Sequence, residues 1–183
     1  MLPNVNFKKG QTAVKEFIRD IPDFPKKGII FKDITPLLGD HVAFQEMINT
    51  LKDHYADKQL DAVVGVEARG FIFASALAYA LGTGVVMVRK PGKLPYKTFK
   101  ETYSLEYGAD TVEIHQDAFQ EGQNILIIDD VLATGGTLSA TLDLIQKNFK
   151  NVKVVEAAFL IELDFLNGRE KLKGTPVYSM IHY

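Results

Sequence analysis

Residues 125–138 read ILIIDDVLATGGTL, an uninterrupted apolar run, two adjacent aspartates, then a glycine pair between threonines. The Ile/Leu run has the length and composition of a strand buried on both faces, as in a parallel sheet covered by helices. Leu138, Leu142 and Ile145 then recur at helical spacing, so a helix is expected over 137–149. Strand, turn and helix in that order predict an α/β fold, and they put the aspartates and glycines where open α/β sheets bind ligands.

The chain on either side repeats the pattern. AVVGV (62–66) and VVMV (85–88) are expected strands around a helix at 70–81, and VKVVEAAFLIEL (152–163) supplies a further strand. A central, mostly parallel sheet flanked by helices follows. Upstream, Val14, Phe17, Ile18 and Ile21 predict a helix stopped by Pro22 and Pro25. The stretch IPDFPKKGIIFKDITPLL (21–38) is apolar and turn-rich with neither period. Asp40 is a plausible N-cap for a helix over 40–57, with Phe44, Met47, Ile48, Leu51 and Tyr55 on one face. Residues 90–118, rich in Tyr, Lys and Gly, exceed a usual connection and read as a lid or inserted hairpin. Its lysines and threonines offer little to bury, so residues 95–106 are expected to be mobile without ligand.

At 183 residues a single domain is expected. With 21 basic and 23 acidic side chains the net charge is -2, and no Lys/Arg block exceeds a pair such as Lys26-Lys27. This argues against bulk binding to nucleic acid or a membrane surface. The absence of cysteine excludes disulfides and thiolate chemistry, and His41, His54, His115 and His182 show no metal-ligand spacing. The run FIFASALAYALGTGVVMV (71–88) is uncharged and of membrane-spanning length, but Gly82-Thr83-Gly84 divides it, so it is read as core. MLPNVNFKKG has no apolar core followed by a cleavage site, so no signal peptide is expected and a cytoplasmic location is.

The turn Ala133-Thr134-Gly135-Gly136-Thr137 opens a helix and offers free amides, two hydroxyls and the positive helix end to one phosphate. It is neither GxxxxGK[ST] nor GxGxxG, the two common nucleotide signatures. Asp129 and Asp130 would repel that phosphate unless they face hydroxyls or a divalent cation. A phosphate beside a diol describes a 5-phosphoribosyl group.

ILIIDDVLATGGTL resembles the 5-phosphoribosyl 1-pyrophosphate signature of the type I phosphoribosyltransferase family. DFPKKGIIFKDITPLL, GVEARGFIF, VRKPGKLP and YSLEYGADTVEIH resemble successive blocks of its adenine-specific members, in order and over nearly the full length. The resemblance implies the type I phosphoribosyltransferase fold as one domain over 1–183, with a small hood from about 1–38 plus about 160–183 and a flexible β-hairpin lid at about 90–118. It implies a purine salvage enzyme that transfers the 5-phosphoribosyl group to adenine, giving AMP and pyrophosphate. It likewise implies Mg²⁺ held mainly by the substrate with no direct protein ligand, and a homodimer.

The site residues follow from the same resemblance. Asp129, Asp130, Arg69 and Glu106 are the catalytic candidates, and Ala133, Thr134, Gly135, Gly136 and Thr137 hold the phosphate. Glu67, Ala68 and Arg69, at a turn that often contains a cis peptide in this family, join Arg89, Lys90 and Lys93 around pyrophosphate. Lys97 and Lys100 are read as surface charge, and Tyr103 and Tyr107 belong to the lid. Phe31 and Leu163 would sandwich adenine while backbone groups of Ile30 and Lys32 read its edge; many family members have Arg where this chain has Lys32. A transferase for another purine and a non-catalytic ligand sensor are the alternatives. The adenine-type blocks argue against the first, and the lack of a basic recognition helix against the second.

Overall fold

The computed structural model describes residues 14–104, 108–172 and 174–183. The chain divides into two compact units, Met1–His54 and Tyr55–Tyr183.

In the first unit, β1 (Arg19–Pro22) pairs antiparallel with β2 (Ile30–Asp33), with Ile21 opposite Phe31. This corrects the helix expected through Ile21. Cross-strand ion pairs, Arg19 to Asp33 at 2.6 Å and Lys32 to Asp20 at 2.7 Å, hold the extended form. Four apolar residues before a proline are too few to sustain a helix against such pairing. The connection closes where the Gly28 amide, at φ +88°, donates to Asp23 Oδ1 at 2.6 Å. The unpatterned 21–38 stretch is therefore half of a hairpin followed by a short helix, α1 (Thr35–Gly39). α2 (His41–Tyr55) begins as expected, with Asp40 Oδ1 accepting from the amides of Val42 and Ala43 at 3.0 and 2.9 Å.

The second unit is built on a parallel sheet. β3 (Ala62–Val66), β4 (Gly84–Val88), β7 (Asn124–Leu132), β8 (Lys153–Glu162) and β9 (Val177–His182) lie in the order β4-β3-β7-β8-β9. β3 is buried throughout, β7 across Ile125–Ile128 and β8 across Ala157–Glu162, as their continuous apolar runs require. β9 was not legible as a strand: VYSMIH buries only Ser179, Met180 and Ile181 and pairs on one side. α3 (Gly70–Leu81) follows β3, and α4 (Gly136–Asn148) follows β7. Gly65 lets α3 approach, since a Cβ there would lie 2.9 Å from Ala74 Cβ.

The 71–88 run is indeed a helix and a strand, and no described helix is long and apolar enough to cross a membrane. It is not all core. β4 is the sheet edge, and Ile72, Tyr79, Val85 and Met87 are exposed, Tyr79 at 90%.

The long insertion forms an antiparallel hairpin, β5 (Thr98–Ser104) and β6 (Ala109–His115). One face of the hairpin packs into the core. Val112 and Ile114 are fully buried, and Phe99 meets Phe149 edge-to-face at 5.6 Å. A strand alternates its faces, so a polar-looking hairpin still carries an apolar stripe. Glu106 and Tyr107 lie outside the described residues.

Candidate active site

Asp129 and Asp130 lie near the end of β7, which runs three residues past the expected Asp129 boundary to Leu132. Asp130 is 3% exposed, and Arg69 Nε approaches its Oδ2 to 2.6 Å as an ion pair without an aligned hydrogen bond. Asp129 Oδ1 accepts from the Asp130 amide at 2.9 Å. Burial, then the charge of Asp130, pushes the Asp129 carboxyl well above its ordinary range. Burial also raises Asp130, although the Arg69 guanidinium opposes it. Two carboxylates forced together out of water, with one buried oxygen lacking an aligned donor, are arranged to receive positive charge or hydroxyl donors.

The turn Glu67–Gly70 is pressed against the same strand end. A Cβ on Gly70 would lie 2.8 Å from the Ile128 carbonyl oxygen and 3.0 Å from Asp129 Oδ1. The Glu67–Ala68 peptide is cis, as the resemblance implied. α3 starts here without a side-chain cap, and its Phe71 and Ile72 amides donate to the Ala68 and Arg69 carbonyls at 3.3 and 3.1 Å.

Of the predicted pyrophosphate cations, Arg89 and Lys90 are engaged by carboxylates. Arg89 Nε and Nη2 lie 3.2 and 3.3 Å from the Glu67 carboxylate, and Arg89 Nη1 donates to the Lys93 carbonyl at 3.1 Å. The Lys90 amide also donates to Glu67 at 2.8 Å. Burial alone would raise the Glu67 carboxyl, but these bonds from Lys90 and Arg89 hold it below its ordinary value. Glu67 therefore organises the Arg89 turn, and its own amide donates to the Val88 carbonyl at 2.9 Å. Lys90 Nζ is paired with Asp110.

Ala133–Thr137 lines a concave site with Asp129, Leu132 and Phe159. Gly135 adopts φ +74° and no side chain caps α4, so the turn has the conformation and open amides of an anion site. The two glycines differ in a way the sequence does not reveal. A Cβ on Gly135 would overlap the Gly168 carbonyl, whereas one on Gly136 would meet only the Tyr103 ring at 3.5 Å. Tyr103 reaches this turn from the hairpin: its hydroxyl is 2.9 Å from Thr137 Oγ1 and donates to Asp110 Oδ2 at 3.1 Å.

Leu163 follows β8 at the same end of the sheet, its amide donating to the Leu132 carbonyl at 3.0 Å. Phe31 belongs to the other unit, where its ring meets Phe24 edge-to-face at 5.2 Å. Ile30 is exposed, and the Lys32 ammonium is occupied by Asp20.

Sequence reasoning missed Asp110, Glu162, Gly168 and Arg169. Arg169 Nε and Nη2 each donate to a Glu162 oxygen at 2.6 Å, a fork-to-fork pair with Glu162 only 4% exposed. A lone glutamate ending the apolar AAFLIE run was the available signal. His182 also lies close to Glu162 and Asp164, a grouping invisible in its spacing. Both Glu162 oxygens are already taken by Arg169.

The phosphoribosyl transferase domain family matches residues 38–181. The chain is 56% identical to the adenine phosphoribosyltransferase of Geotalea uraniireducens, over 93% of this chain and 98% of that one. It is 58% identical to that of Geotalea daltonii over the same shares. Among solved structures, it resembles adenine phosphoribosyltransferase from Thermoanaerobacter pseudethanolicus with a TM-score of 0.90 at 50% identity, covering 94% of this chain and 99% of that one. The Saccharomyces cerevisiae enzyme, solved with an imino-altritol bisphosphate and adenine, gives 0.88 at 41% identity, covering 93% and 97%.

Proposed function

This chain belongs to the phosphoribosyl transferase domain family, and from its site we infer how it works on adenine. It is a purine salvage transferase that moves the 5-phosphoribosyl group from 5-phosphoribosyl 1-pyrophosphate to adenine, giving AMP and pyrophosphate. The observation that carries the site assignment is the convergence of an uncapped glycine turn, the turn ending at Arg69 and a buried carboxylate pair on one strand end.

Ala133–Thr137 binds the 5′-phosphate. The amides after Glu67, with Arg69, Arg89, Lys90 and Lys93, take the pyrophosphate, Arg89 and Lys90 exchanging their carboxylate partners for it. Asp129 and Asp130 face the ribose diol and the positive charge that develops as the bond to pyrophosphate breaks. The adjacent carboxylates of Asp129 and Asp130 suit a divalent cation in their donor chemistry, Asp130 being paired with Arg69. Mg²⁺ held mainly by substrate oxygens would neutralise the departing pyrophosphate. Glu106, outside the described residues, is proposed to orient the base or take its proton. The hairpin lid of about 90–118, including Tyr107, excludes water. Pyrophosphate release measured side by side with adenine, guanine, hypoxanthine and xanthine tests the reading; equal rates with a 6-oxopurine would defeat it.

Adenine is stacked on Phe31 and read by backbone groups of Ile30 and Lys32. Occupation of the Lys32 ammonium by Asp20 supports a backbone contact there. Lys32→Ala is accordingly expected to keep the preference for adenine over hypoxanthine, while Phe31→Ala weakens both bases by loss of stacking. The kcat/KM ratios for the two bases in each variant check this, and a collapse of discrimination in Lys32→Ala would assign the reading to its side chain.

Exposed Ile72, Tyr79, Val85 and Met87 on the β4 edge and α3 support a homodimer, and a cytoplasmic location goes with the salvage role. Tyr79→Glu is expected to shift the mass measured by light scattering toward the monomer; an unchanged dimer would move the interface elsewhere.

A further inference from the structure

We propose that Gly168 and Arg169 are positioning residues for the 5′-phosphate turn, Arg169 anchoring the segment after β8 so that Gly168 braces the backbone of Ala133–Gly135. The proposal rests on the reading of that turn as the phosphate site.

The segment comprises two 3₁₀ turns, Asp164–Leu166 and Gly168–Leu172, joined at Asn167 in the left-handed conformation with φ +51°. Short 3₁₀ turns have weak internal hydrogen bonding and need outside anchors. Arg169 provides them. Besides the two bonds to Glu162, Nη1 donates to the Val177 carbonyl at 3.1 Å and Nη2 approaches Ser179 Oγ at 3.4 Å. The guanidinium thus ties the segment to the ends of both β8 and β9. Burial tends to raise the Glu162 carboxyl, but hydrogen bonds from Arg169 and Ser179 and the Arg169 charge keep it below its ordinary value, so the pair stays ionic.

What the anchor holds in place is a backbone-to-backbone seam. A Cβ on Gly168 would overlap the Ala133 carbonyl oxygen and lie 3.0 Å from Leu132 Cδ1, and a Cβ on Gly135 would overlap the Gly168 carbonyl. The two segments meet where neither tolerates a side chain. Gly168 is not at positive φ, so its requirement for glycine is the close approach itself. An anion site made of amides depends on their directions, and a brace on the outer side of the turn fixes those directions before ligand arrives. Arg169, through the segment, supplies a preorganisation that no residue touching the phosphate supplies.

The test compares AMP with adenosine, whose affinity ratio isolates the phosphate, by calorimetric titration of the full chain and of Gly168→Ala, Arg169→Met and Arg169→Lys. Gly168→Ala and Arg169→Met are expected to weaken AMP by about tenfold or more, as loss of charge-assisted hydrogen bonds to one anion does, with adenosine unchanged. Arg169→Lys falls between, because one ammonium cannot span both Glu162 oxygens. Should Arg169→Met not fold, the single methyl of Gly168→Ala carries the test. A merely structural role would lower the melting temperature while leaving the AMP-to-adenosine ratio at its wild-type value, and that result overturns the proposal. Parallel losses for both ligands overturn it too. If the wild-type chain itself does not prefer AMP over adenosine, the phosphate-turn reading fails first.

Discussion

Asp129→Asn is expected to lower turnover by about 10²–10³-fold, as removal of one preorganised electrostatic group does, while raising the melting temperature at pH 7. The two effects have one cause. Burial and the neighbouring Asp130 charge raise the Asp129 carboxyl in the folded state, so folding favours its protonated form. Stability from that group is fully present below the ordinary carboxylate value and is lost as pH rises through the raised one, so at neutrality the buried carboxyl costs stability. The amide removes this strain and also the charge that stabilises the sugar cation. Wild-type activity should accordingly fall on the acid side as the pair takes up a proton, at a higher pH than isolated carboxylates would give. Asp130→Asn loses turnover as well, but it also strands Arg69, so its melting temperature should gain less. Turnover near wild type in Asp129→Asn would remove that residue from the mechanism, and an unraised melting temperature would contradict the electrostatic account.

Gly135→Val is expected to weaken 5-phosphoribosyl 1-pyrophosphate binding by well over tenfold, and Gly136→Val much less. A branched residue at φ +74° is disfavoured by about 1–2 kcal/mol from local sterics alone, before any neighbour is considered. Its Cβ would also collide with the Gly168 carbonyl, a backbone atom that cannot rotate away. The turn must therefore move, and its amides move with it. At Gly136 the backbone is not at positive φ and the nearest atom is the Tyr103 ring at 3.5 Å, so the first added carbon is accommodated. Equal losses in the two variants, measured as KM for the pyrophosphate substrate, would show that the asymmetry between the glycines has no functional consequence.

Much of the fold could be read from local pattern. The β7 run, the α4 spacing, the β3-α3-β4 unit and the Asp40 cap each depend on residues within one or two turns of one another, and each is present. The hairpin of β1 and β2 was misread because Val14, Phe17, Ile18 and Ile21 carry a helical period, while the force that wins comes from Asp20–Lys32 and Arg19–Asp33 pairs twelve and fourteen residues apart. β9 was invisible because a short edge strand acquires its character from the neighbour it pairs with. Likewise the apolar stripe of the lid hairpin was masked by lysines and threonines on the alternate face.

The sequence by itself determined the α/β class, the strand-turn-helix that carries the phosphate turn, the acidic pair and the turn ending at Arg69, because strand burial, helix period and glycine conformation are local consequences of side-chain chemistry. Only the tertiary structure decided how those parts act on one another. It alone distinguishes Gly135 from Gly136, sets Arg69 on Asp130, turns the Glu67 carboxylate to Arg89, lays Tyr103 over the turn and braces that turn with Gly168. Each of these is a contact between segments tens of residues apart, fixed by close packing of backbone on backbone and by buried charges that must find partners, and neither constraint leaves a mark in the residues immediately before or after.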